Sequence, residues 1–87
     1  MATIILSHDV KDFASWKQTY VADAPRRANA GLVEIAVGTK SDNPNKVFMV
    51  WKGDPSVLDK MLHDPELAEV MKAAGVISTP EVTVINS

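Results

Sequence analysis

His8 is the first residue able to do chemistry, because it closes the apolar run Ile4-Ile5-Leu6 where a strand gives way to a helix start. An imidazole there can take or return a proton near neutral pH, or it can simply hold the turn together. Asp12 stands where a carboxylate could orient that ring, and equally where it could cap the coming helix. Phe13, Trp16 and Tyr20 recur at three- and four-residue steps, which is the spacing of a helix face turned to a core. Tyr20 could still present its hydroxyl to a developing oxyanion, so His8, Asp12 and Tyr20 form a candidate set for cofactor-independent acid/base chemistry. Trp16, Arg27 and Trp51 are the candidate ligand contacts. The Arg26-Arg27 pair suits a carboxylate or phosphate, or else a solvated helix end, and Trp51 suits either a cavity wall or a subunit interface.

Composition narrows the chemistry further. The 87 residues contain no cysteine, which excludes disulfides and thiolate metal sites, and the two histidines are too few for a dedicated metal centre. No glycine-rich phosphate loop, dinucleotide fingerprint or HExxH motif is present, so no cofactor is expected and catalysis would be metal-free and flavin-free. Nine Lys and Arg are scattered against eleven Asp and Glu, for a formal charge of -2. That leaves no basic stripe for nucleic acid. The opening residues lack a basic leader and a long apolar stretch, and no segment approaches the ~20 apolar residues of a membrane helix, so a cytoplasmic location is expected.

The candidates need elements to position them. Residues 3 to 8 predict a strand, and the Phe13–Trp16–Tyr20–Ala24 stripe predicts a helix that Pro25 ends or kinks, with Asp23 placed to cap a short second piece and Gly31 to stop it. Leu32 to Thr39 and Lys46 to Lys52 are rich in β-branched and aromatic residues and predict a hairpin with a loop of about five or six residues. Asp54-Pro55 starts another helix, Asp64-Pro65 restarts it, and Gly75 closes it. Val76 to Ile85 predicts the last strand, bent early by Pro80. The order β-α-β-β-α-β is the ferredoxin-like split βαβ: one α+β domain spanning 1–87, with a four-stranded antiparallel sheet and its helices on one face.

Such helices cover one side of the sheet only. Yet both sides of its strands are apolar: Val33, Ile35 and Val37 would oppose Leu32 and Ala36, while Val47, Met49 and Trp51 oppose Phe48 and Val50. A second copy across a two-fold axis is the simplest cover, and a homodimer through sheet faces is expected. Glu34 would then either face that interface, opposite an Arg26 or Arg27 of the second copy, or lie solvated at an edge.

Ser7-His8-Asp9-Val10-Lys11-Asp12-Phe13 with Trp16-Lys17, then Asp23-Ala24-Pro25-Arg26-Arg27, Pro44-Asn45, Pro65-Glu66-Leu67 and Met71 through Val76, resembles small bacterial members of the dimeric α-β barrel superfamily. That superfamily includes antibiotic-biosynthesis-type monooxygenases, cyclases, isomerase-like proteins, haem-degrading enzymes and stress-responsive proteins. The resemblance implies a homodimer with a small apolar cavity between helices and sheet in each chain. It admits three readings: a ligand-binding cyclase or isomerase using His8 as base, a non-enzymatic binding or stress-associated dimer with a filled interior, or a monooxygenase-like or haem-handling protein. For haem, Trp51 and His63 would be the residues to watch, although the first strand lacks the Asn that haem-degrading relatives carry.

Overall fold

The computed structural model describes residues 2–86. Strand β1 (Ala2–Asp9) leads into helix α1 (Phe13–Ala22) and the short α2 (Ala24–Asn29). A hairpin of β2 (Val33–Lys40) and β3 (Asn43–Gly53) follows, then α3 (Pro55–Leu62), α4 (Pro65–Ala73) and β4 (Glu81–Ile85). The sheet order is β2-β3-β1-β4, antiparallel throughout, so this is the ferredoxin-like fold that the β-α-β-β-α-β order predicts. Among the described residues no helix is long and apolar enough to cross a membrane.

Both helical arms are cut in two by proline, because a residue without an N–H can begin a helix but not continue one. Asp54 and Asp64 cap α3 and α4 ahead of Pro55 and Pro65, accepting from the backbone N–H of Ser56 and Glu66 at 2.9 Å each. Asp12 caps α1 through Ser15. Asp23 departs from the expectation: it stands at the N-cap of α2 but makes no capping bond, because Arg26 Nε donates to both of its carboxylate oxygens instead. Gly31 (φ 73°) and Gly75 (φ 89°) supply the left-handed stops.

The hairpin is tighter than the sequence suggests. Lys40 pairs with Asn43 across a turn of Ser41 and Asp42, and Pro44-Asn45 belong to β3. Asn45 holds that extension down: its backbone carbonyl accepts from Val10 N–H (2.8 Å), and its side-chain amide donates to the carbonyls of Val10 and Lys11 (3.0 Å each). Pro44 falls at the register shift, where no ladder N–H is needed. The last strand begins only at Glu81, just after Pro80, with Val76 reduced to an isolated bridge to Val10.

Ile4, Leu6, His8, Val47, Met49 and Trp51 share the helix-facing side of β1 and β3, where they pack with Trp16, Tyr20 and Leu58 as one core. Register in β2 is corrected by a bulge at Ile35. Glu34 lies opposite Trp51 and Ala36 opposite Val50, so Glu34 and Val37 face the helices while Val33 and Ala36 face away. The helices shelter the two central strands but not the edges, since every residue of β4 and most of β2 is exposed.

Candidate functional site

Between the two helical arms and the sheet lies an apolar cavity of about 70 Å³. Leu6, Met49 and Trp51 form its floor, Trp16, Tyr20 and Arg27 one wall, and Leu58, Met61, Leu67, Val70 and Met71 the other. Both tryptophans of the chain are on its walls, and so is every methionine after the first residue. Methionine side chains are unbranched and turn easily, so a cavity bounded by three of them can widen around a guest.

A polar cluster occupies the α1/α2 wall. Tyr20 Oη donates to Glu34 Oε1 at 2.7 Å and accepts from Trp51 Nε1 at 3.1 Å, joining helix, edge strand and central strand through one buried hydroxyl. Burial, and then the hydrogen bond to Glu34, push the Tyr20 hydroxyl up to about 12, so the phenol stays protonated across the physiological range. Trp16 stacks on the Tyr20 ring at 4.9 Å between centroids, and the Arg27 guanidinium carbon lies 3.6 Å from the same ring's centroid.

Of the six residues singled out in the sequence, the cavity brings together four: Trp16, Tyr20, Arg27 and Trp51. His8 and Asp12 are not among its lining. The wall stops at Trp16, whose ring meets the His8 imidazole edge to face at 5.5 Å and 72°. His8 is 3% exposed and its Nδ1 has no hydrogen-bond partner. Burial lowers its pKa from 6.5, which keeps the ring neutral. Asp12 does not orient it, because its Oδ2 accepts from the backbone N–H (3.0 Å) and the hydroxyl (2.8 Å) of Ser15, which is the capping role. The His8–Asp12–Tyr20 set expected from the sequence is therefore split, with Asp12 at a helix cap, His8 behind Trp16 and Tyr20 on the cavity wall.

Glu34 lies at the sheet edge, one of the two places expected for it, but with a partner that the sequence did not show. It is exposed on the edge strand β2, and the bulge at Ile35 turns it to the helix side, where its Oε1 accepts from Tyr20. No hydrophobic pattern announces a bulge, and a Glu amid apolar strand residues was the one available sign. Trp51 and His63 do not meet: Trp51 is on the cavity floor, while exposed His63 borders a separate shallow groove and sets its Nδ1 2.7 Å from the Asp59 carbonyl. Among the described residues no three His, Asp or Glu side chains converge as metal ligands.

With this geometry in view, solved structures share the whole architecture. A candidate antibiotic biosynthesis monooxygenase from Bordetella bronchiseptica superposes with a TM-score of 0.76 at 15% identity, covering 99% of this chain and 95% of that one. One from Caulobacter crescentus reaches 0.71 at 11% identity, covering 99% and 88%. This chain has their fold. A NIPSNAP family protein of unknown function from Agrobacterium tumefaciens gives 0.68 at 12% identity, covering 98% and 86%. No protein-family model and no curated protein matches the sequence. The resemblance drawn from the sequence and the structural likeness agree on the ferredoxin-like arrangement, and at these identities the likeness speaks for the fold alone.

Proposed function

We propose that the chain is a homodimeric binding protein for a small, largely apolar organic molecule held between its helices and its sheet. The observation that carries this reading is the cavity itself, an apolar space with both tryptophans and three methionines on its walls and hydrogen-bonding groups on one side only. That is the usual make-up of a small-ligand site, in which apolar walls supply affinity and a few polar groups fix orientation. The monooxygenase candidates that share the fold fit such a reading. Cyclase or isomerase chemistry through His8 does not form part of it, because the imidazole has no access to the cavity and no orienting carboxylate.

Benzyl alcohol is a suitable first probe. Its titration should change the tryptophan emission with a saturable curve, and Leu58→Phe, which fills the cavity from the far wall, should abolish that saturation. A response that only grows linearly for benzyl alcohol and for benzoate alike, or one that survives Leu58→Phe, would sink the reading.

A further inference from the structure

Arg27 carries a charge that nothing in the fold consumes. Its neighbour Arg26 is fully engaged, with Asp23 at 3.1 Å, Glu66 at 3.2 Å and Asp64 at 3.6 Å. Arg27 makes no side-chain hydrogen bond or ion pair among the described residues, although it is half-buried and lines the cavity. Asp23, the other charged residue of the lining, has both carboxylate oxygens accepting from Arg26. What Arg27 does have is the Tyr20 ring, at the separation of stacked planes. A guanidinium stacked on an aromatic face spends its own face on the ring and keeps its in-plane N–H donors free, and those donors match both oxygens of a carboxylate. Because Trp16 stacks on the same tyrosine, the ring that supports Arg27 is itself held in place.

We infer that the cavity selects small apolar carboxylates, with the hydrocarbon or aromatic part among Met49, Met61 and Met71 and the carboxylate paired to the edge of Arg27. This rests on the binding role proposed above and adds the chemical class of the ligand. The cavity at rest is smaller than the roughly 150 Å³ that takes up benzene in an engineered apolar site. A ring would therefore enter by turning the methionines, while the charged group stays at the α2 end where Arg27 is partly solvated.

The test compares benzoate with benzyl alcohol, which offers the same ring without the charge, by isothermal titration on the wild-type protein at neutral pH and low salt. Benzoate should bind more tightly by about tenfold or more, the range of one charge-assisted hydrogen-bonded pair, and added salt should narrow the gap. Arg27→Gln should bring the two affinities close together, and Arg27→Lys should restore only part of the preference, because an ammonium lacks the planar fork. Equal wild-type affinities for the two probes would overturn the carboxylate inference and leave the cavity reading standing. Binding of neither probe would overturn both. The wild-type comparison decides the matter even if a variant fails to fold.

Discussion

Tyr20 is the residue on which the interior depends most. Its hydroxyl is the common partner of Glu34 and Trp51, so Tyr20→Phe strands the buried Trp51 indole N–H and leaves the exposed Glu34 carboxylate to water. Stranding a buried polar partner costs about 1–3 kcal/mol, and Tyr20→Phe should lower unfolding stability by that order in a denaturant titration. His8 makes a prediction of the opposite kind, through pH. Its folded-state pKa lies below the ordinary 6.5, so between those two values the unfolded chain binds more protons than the folded one. Stability should therefore fall as pH drops below 6.5 and level off beneath the folded value, and His8→Leu should flatten that stretch of the curve. Carboxylates such as Asp12, whose pKa the Ser15 backbone N–H holds down, act only at lower pH. The sequence displayed Tyr20, Trp16, Arg27 and Trp51 as residues worth watching, because aromatic spacing and paired arginines are visible in one dimension. That Tyr20 bonds Glu34 and that Asp12 turns away from His8 was not visible, since a bulge and a cap choose their partners in three dimensions.

Elements were more legible than contacts. Aspartate followed by proline announced α3 and α4, and glycines at left-handed positions announced where α2 and α4 end, because each does a backbone job few other residues can do. The hairpin misled, since Pro44 and two asparagines read as loop until the side chain of Asn45 is seen tying the segment to Val10 and Lys11. One contact between elements has a sharp consequence. Gly53 ends β3 so close to the linker before β2 that an added Cβ would lie 2.5 Å from Leu32 Cδ2. Gly53→Ala must displace the buried Leu32, and a loss of about 1–3 kcal/mol is expected by chemical denaturation. Arg26 joins α2 to the start of α4, but its pairs are exposed, so Arg26→Ala should cost under about 1 kcal/mol, with high salt shrinking the effect further.

On the scale of the whole molecule, the sheet's far side is the unfinished part. Ile5, Phe48 and Val50 occupy its middle, Val33, Ala36 and Ile85 widen it, and Lys46, Lys52 and Glu81 edge it. An apolar centre with a charged rim is the make-up of an interface. A second copy covering it should give a sedimentation mass near twice 9.4 kDa, and Val50→Asp should return the protein to a single chain. The alternation in β1 and β3 made this face readable from sequence, whereas the bulge in β2 hid which residues of that strand join it. The cavity on the other side could be expected only from the resemblance, because no one-dimensional pattern records the space left between packed side chains. It is also the claim on which the functional account turns, and the methionine methyls address it most directly. With the methionines labelled at their methyl carbons, benzoate or benzyl alcohol should shift the resonances of Met49, Met61 and Met71 together along one saturable curve. If all three stayed in place up to millimolar concentrations of both compounds, the space between helices and sheet would not be a binding site.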